Sequence, residues 1–303
     1  MPPFDWIVSL AGFGVGIVVG LTGMGGGALM TPILVLLFGI PAHIAVGSDL
    51  TASLFMKPLG AYVHARRGTV HRGLVGWLCL GSVPASFAGA ALVNHLGHVD
   101  GLESMIRRVL GITLLVAAAA MLGKWTLSRR RSTPNVSLLP IRVKPLQTVL
   151  LGVAGGFIVG MTSVGSGSLL IVMLMLLYPA LGGSRLVGTD LAQAIPLVGA
   201  AALGHLVFGH IHLDLTGALL LGSIPGVYLG ARFSSRAPDH VIRPALVTTL
   251  VASSIKLLGG SNQILGAVIA TLAAGFTAYA LATREAAEPV LETDETPEPT
   301  TQA

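Results

Sequence analysis

Charge is what this chain has least of. Lys, Arg, Asp and Glu make up 10% of its 303 residues, against 53% hydrophobic, and the mean hydropathy is +0.81. A soluble domain carries roughly 25% charged residues, so a water-facing globular surface is excluded. Cysteine is nearly absent as well. The single Cys79 rules out an intrachain disulfide and any cysteine-based metal cluster. Aromatics amount to 5%, and no Lys follows the glycine-rich stretches as a nucleotide-binding loop would require. No His or acidic cluster has zinc-ligand spacing, and no nucleophile–base pair stands out. The reading is therefore of a protein that is not an enzyme, with no metal and no cofactor. The basic balance (net charge +5) does not imply nucleic acid, because insertion into a membrane itself demands basic cytoplasmic loops.

What is present is a succession of apolar runs, many near the ~20 residues a spanning helix needs. They lie at residues 6–21, 28–38, 44–63, 73–93 and 105–122, then 146–159, 169–178, 185–203, 215–231 and 241–258, with a last at 264–282. Only structures that close their own backbone hydrogen bonds survive in lipid, so the pattern predicts an all-α polytopic membrane protein with the bilayer as its surroundings. The first residues, Met1 to Asp5, lack the basic region of a cleaved signal peptide, and residues 6–21 are read as a retained first helix.

The second half repeats the first. At an offset of 140, Gly12, Gly16, Gly20, Gly25 and Gly27 match Gly152, Gly156, Gly160, Gly165 and Gly167, and Thr22 matches Thr162. One residue is then inserted. At 141, Gly47-Ser48-Asp49-Leu50 is answered by Gly188-Thr189-Asp190-Leu191, His64 by His205, Gly68 by Gly209, His71 by His212, and Leu80-Gly81-Ser82-x-Pro84 by Leu221-Gly222-Ser223-x-Pro225.

Loop charge orients the two copies. Arg66, Arg67 and Arg72 follow the third run, where the second copy has no Lys or Arg. Arg232, Arg236 and Arg243 sit where the first copy has none. With Lys124, Arg129, Arg130, Arg131, Arg142 and Lys144 of the connector, all of these face one side only if the second copy is inverted. Fourteen of the 18 basic residues then face the cytoplasm, the N-terminus lies outside and the C-terminus inside. The domain reading is a first repeat at residues 1–123, a basic cytoplasmic connector at 124–145, expected to be irregular, an inverted second repeat at 146–260, an extra helix at 261–283, and an acidic, disordered tail at 284–303. A homodimer is compatible with this arrangement.

Two features carry chemistry. Gly20-Leu-Thr-Gly-Met-Gly-Gly-Gly27 and Gly160-Met-Thr-Ser-Val-Gly-Ser-Gly167 interrupt matching apolar runs. Such backbone is tolerated at membrane depth only where it lines a cavity or packs on protein. Each interruption predicts a broken or re-entrant helix meeting its partner near the bilayer midplane. The following helix would point free N–H groups and a positive dipole end at that tip, which favours a small anion. The candidate substrate-binding residues are Thr22, Gly25, Gly26, Gly27, Thr162, Ser163, Gly165, Ser166 and Gly167, with Ser168 as a further hydroxyl donor. Gly12, Gly16 and Gly20 fit helix packing instead.

The second feature is three charges inside apolar runs: Asp49, Lys57 and Asp190. Ionisable groups at that depth are expensive, so they are candidates for a transport role. Lys57 has no counterpart, since Val198 takes its place, and it is the natural group to meet an anion. Asp49 and Asp190 are read as coupling or structural charges, and His64 and His205 as candidate gates at opposite faces.

The glycine-rich Gly20–Gly27 stretch with Pro32, followed by Ala45-Val-Gly-Ser-Asp-Leu50 and His64-x-x-x-Gly68-x-Val70, all recurring in the second half, resembles the TauE/SafE family of sulfite exporters. The resemblance spans residues 6–258. It implies a secondary transporter, working by alternating access, that exports a small sulfur-containing anion such as sulfite, a sulfonate or sulfoacetate across a bacterial inner membrane. An anion channel, or a permease for another small carboxylate or oxyanion, is the competing reading.

Overall fold

The computed structural model describes residues 6–22, 26–96, 101–130, 142–208, 211–233 and 239–285. Within them the chain forms eleven helices and no strand. The first half gives α1 (Trp6–Thr22), α2 (Gly27–Leu36), α3 (Ala42–Arg66), α4 (Arg72–Leu96) and α5 (Leu102–Arg130). The second gives α6 (Pro145–Thr162), α7 (Leu169–Leu177), α8 (Gly183–Val207), α9 (Leu213–Phe233) and α10 (Asp239–Leu257), followed by α11 (Asn262–Glu285). Five of these are long and apolar enough to cross a membrane: Arg72–His95, Glu103–Gly123, Pro145–Thr162, Gly183–Val207 and Leu213–Phe233. Large apolar side chains such as Trp6, Leu10, Leu146 and Leu176 stand exposed on the outer faces, as lipid contact requires and water would not favour. The protein is an all-α, multi-pass membrane protein.

One boundary differs from the sequence reading. The connector at 124–145 was expected to be irregular, but α5 continues through its first residues to Arg130. Within the connector no proline precedes Pro134, and basic residues such as Arg129 and Arg130 are favoured at a helix C-terminus by the dipole. Residues 131–141 of the connector, Met1 to Asp5, and the acidic tail from 286 onward lie outside the described residues, as does Gly25.

Several helix pairings recur when the halves are exchanged. The pairing of α1 with α9 has its counterpart in α6 with α4, that of α10 with α2 in α5 with α7, and that of α2 with α3 in α7 with α8. Glycine makes the first two seams. A Cβ on Gly12 would meet Leu219, one on Gly16 would meet Ser223, and one on Gly20 would meet Val227, so α1 and α9 run in the same direction with backbones in contact. Gly152, Gly156 and Gly160 stand likewise against Leu78, Ser82 and Ser86 of α4. Lipid tails are as apolar as leucine, so helices in a bilayer associate by such close backbone packing.

The centre of the molecule is α3 against α8. A Cβ at Gly60 would lie 3.4 Å from Leu191, one at Gly199 would lie 3.5 Å from Leu54, and one at Gly188 would lie 3.1 Å from His64. As the register rises on one helix it falls on the other. These two helices, which hold matching places in the repeat, are therefore antiparallel.

Candidate functional site

Both helical interruptions fall where the glycines stand: α1 ends at Thr22 and α2 begins at Gly27, while α6 ends at Thr162 and α7 begins at Leu169. The second is built on left-handed backbone. Ser163 has φ 59°, Gly165 122° and Gly167 94°. Glycine adopts such angles freely, whereas a serine there carries strain of about 1–3 kcal/mol. The two interruptions touch. Gly27 packs so tightly on the Ser163 carbonyl and hydroxyl that any side chain at position 27 would collide with them.

Ser163 is held in place by its hydroxyl, which donates to Asp49 Oδ2 at 2.5 Å. The same oxygen accepts from Thr31 Oγ1 of α2 at 3.0 Å. Asp49 is buried to 1% exposure, so an unmatched charge here would be prohibitive and these donors are what hold it. A first-half carboxylate thus ties its own second helix to the other half's interruption.

Lys57 lies two turns further along α3, 5% exposed, and its Nζ donates to Ser166 Oγ of the second interruption at 2.5 Å. It sits in the field of both carboxylates, Asp190 ahead of Asp49. Asp190 Oδ1 accepts from Gln193 Nε2 at 3.2 Å, and Gln193 Oε1 accepts from Ser82 Oγ of α4 at 3.2 Å. One buried lysine therefore shares its surroundings with two buried aspartates contributed by opposite halves, and hydroxyls from α2 and the second interruption bond to Asp49 and Lys57. Each partner stabilises the next, and removing any one would leave a buried polar atom unpaired.

The other candidates are placed less symmetrically. The Thr22 and Thr162 hydroxyls donate to carbonyls of their own helices, Val18 at 2.8 Å and Ile158 at 2.7 Å. Thr162 Oγ1 also accepts from the Val164 N–H at 3.2 Å, closing the turn. Gly26 caps α2, where its carbonyl accepts from Leu29 and Met30. His64 Nδ1 lies 2.9 Å from Thr69 Oγ1 at the end of its own helix, half-buried. His205 is fully buried and Nε2 donates to the Gly160 carbonyl at 2.9 Å, pinning α8 to α6. The two histidines thus occupy matching positions in unlike surroundings.

Sequence reasoning missed Gln193 and Thr31. Gln193 was detectable as an amide three residues after Asp190 in an apolar run, hence on the same helix face. Nothing local marked Thr31. Among the described residues, no group of three or more His, Cys, Asp or Glu could hold a metal ion.

Comparison with known proteins settles the lineage. The family model for the sulfite exporter TauE/SafE matches residues 8–257, from α1 to the end of α10. The chain belongs to the TauE/SafE family. It is 38% identical over 252 residues to the probable membrane transporter protein YjnA of Bacillus subtilis, covering 83% of this chain and 98% of the relative. It is 28% identical over 256 residues to the probable membrane transporter protein YdhB of the same organism, covering 83% and 99%. A probable membrane transporter protein of Methanocaldococcus jannaschii is 25% identical over 252 residues, covering 78% and 88%. No solved structure matches. The TauE/SafE match ends at residue 257, so α11 (Asn262–Glu285) lies outside it. The chain is a membrane transporter by family.

Proposed function

We propose that this TauE/SafE protein is a secondary transporter exporting a small sulfur-containing anion, such as sulfite, a sulfonate or a sulfoacetate-like molecule, across the bacterial inner membrane. The observation that carries the reading is Lys57: a buried lysine bonded to Ser166 of the second interruption and under the electrostatic influence of Asp190 and Asp49. A buried cation whose counter-ions come from both halves is a site an anion can enter by taking the place of a carboxylate. The amino end of α7 adds its dipole on the same side.

The halves are read as inverted repeats that rock about the central pair of helices to expose Lys57 to one face and then the other. Support comes from α3 and α8, which correspond in sequence and run antiparallel, and from the glycine seams of α1 with α9 and α6 with α4, which correspond on exchanging the halves. The same reading puts the N-terminus outside and the C-terminus in the cytoplasm. Thr22 and Thr162 then shape the turns, and His64 and His205 lock helix ends. The Gly20–Gly27 and Gly160–Gly167 backbones supply the close approach.

Flux of radiolabelled sulfite from proteoliposomes tests this. A carrier gives saturable efflux that external substrate accelerates, and Lys57→Met abolishes it. Linear efflux without acceleration would favour a channel, and absence of flux for sulfite and sulfonates alike would end the reading.

A further inference from the structure

Ser48 of α3 and Ser223 of α9 are fully buried, and neither hydroxyl has a hydrogen-bond partner. Such orphans are uncommon in folded proteins and costly, most of all at membrane depth. Their matching residues are both satisfied. Thr189, which corresponds to Ser48, accepts from the His71 N–H at 3.0 Å. Ser82, which corresponds to Ser223, donates to Gln193 Oε1. The second difference is written in the sequence, because the position matching Gln193 is Ala52, which has nothing to offer a hydroxyl. The same holds one turn on. Ser86 donates to the Leu197 carbonyl at 3.0 Å, whereas the match of Ser86 is Val227.

These residues lie on two corresponding seams, since α8 packs on α4 as α3 packs on α9. Three bonds tie α8 to α4 and the residue before it, whereas among the described residues no hydrogen bond joins α3 to α9. A third contrast points the same way. His205 of α8 bonds to the Gly160 carbonyl of α6, but the matching His64 bonds to Thr69 beyond the end of its own helix. So α4, α6 and α8 are all joined to one another. The pair α1 and α9 is held together by its glycines and by the Ser9 hydroxyl on the Ala218 carbonyl, and the bonds that would match those of the other trio are missing toward α3. We propose that α1 and α9 move as one rigid pair against α3, while α4, α6 and α8 stay fixed to one another. Packed helices shift by sliding between discrete arrangements, and sliding is easiest where no bond has to break. An arrangement that gives Ser48 and Ser223 partners competes with this one, because each orphan here is an uncompensated cost. Ser48 adjoins Asp49, so the mobile seam borders the buried charges. The motion needs no substrate, and it stands or falls apart from the reading of Lys57 as an anion site.

Thiol labelling of the full chain in nanodiscs, where both faces are open to reagent, tests this in a Cys79→Ser background without substrate. Ser48→Cys and Ser223→Cys break no hydrogen bond and report on α3 and α9. Thr189→Cys and Ala90→Cys report on the other seam, where a Cβ on Gly204 of α8 would meet Ala90 of α4. Thr189→Cys also gives up the His71 bond, which biases the comparison against the proposal. All four positions are fully buried here. The reagent is a small methanethiosulfonate, and each rate is divided by that of the same thiol in denatured protein. Positions 48 and 223 should react about tenfold faster than 189 and 90, the factor that missing hydrogen bonds allow. Equal rates, or the reverse order, overturn the proposal. Ala52→Gln supplies the amide that Gln193 offers Ser82, and it should slow labelling at position 48 about fivefold, the worth of one hydrogen bond. No slowing in the folded variant overturns the proposal as well. The four single-cysteine rates decide between the seams even where the glutamine variant does not fold.

Discussion

Ser163 donates to Asp49 across 114 residues of chain, and in doing so joins the second half's interruption to the first half's central helix. The serine occupies a left-handed backbone position that glycine fills more easily, so its retention there follows from its hydroxyl rather than its conformation.

This pair makes a sharp distinction between two small substitutions. Ser163→Ala removes the donor and keeps the strain, leaving Asp49 with Thr31 alone, so it should lower stability by about 1–3 kcal/mol. Ser163→Gly loses the same bond but relaxes the backbone, recovering about 1 kcal/mol. Thermal melting of the detergent-solubilised protein should therefore rank wild type above Gly above Ala. An alanine variant as stable as wild type would show that the bond does not hold the turn.

Lys57 separates folding from transport. Lys57→Met leaves Asp49 and Asp190 buried without their cation, which should cost about 3–5 kcal/mol. Adding Asp190→Asn removes one of the stranded charges and should raise the melting temperature part of the way back. Proteoliposome efflux should stay absent in the double variant, because no cation remains to receive an anion. Restored flux would remove Lys57 from the transport site.

The glycine seams are expected to tolerate nothing larger. Gly156→Val places side-chain atoms into Ser82 of α4, with the first carbon already only 2.6 Å from its Cα, and should cost 3 kcal/mol or more, roughly the upper range for overpacking. Gly14, on the face of α1 turned away from the seam and with nothing within 4 Å, should accept alanine without loss. Melting and monodispersity on size-exclusion chromatography read both. Equal behaviour of the two variants would contradict the seam.

The proposed orientation can be read chemically. In a Cys79→Ser background, Ser261→Cys, between α10 and α11, should react with a membrane-impermeant maleimide in intact cells. Arg67→Cys, at the end of α3, should react only after permeabilisation. The reverse pattern would turn the protein over.

Much of the architecture is written locally. Every helix coincides with an apolar run, because the demand that backbone polar groups be satisfied within the segment leaves lipid-facing sequence no other structure. The interruptions sit where the glycines are, because glycine most readily takes left-handed angles such as those of Gly165 and Gly167 and allows backbone against backbone, as at Gly27. The end of α5 was misjudged because charge was read as loop, whereas basic residues at a helix C-terminus prolong it.

The site is a different matter. Composition and repeat symmetry picked out Asp49, Asp190 and Lys57, since a buried charge in an apolar run is conspicuous wherever it lies. They could not tell that the matching aspartates differ, one bound by hydroxyls of Thr31 and Ser163 and the other by Gln193, nor that His205 is buried while His64 is half-exposed.

The sequence alone therefore determined the helices and their interruptions, because hydropathy and glycine conformation act over one helix at a time. The tertiary structure decided who partners whom. Lys57 meets Ser166 from 109 residues away, and such a bond exists only once antiparallel α3 and α8 have brought the two halves into register, for hydrogen bonds depend on position to within a fraction of an ångström and no periodicity in the chain encodes it.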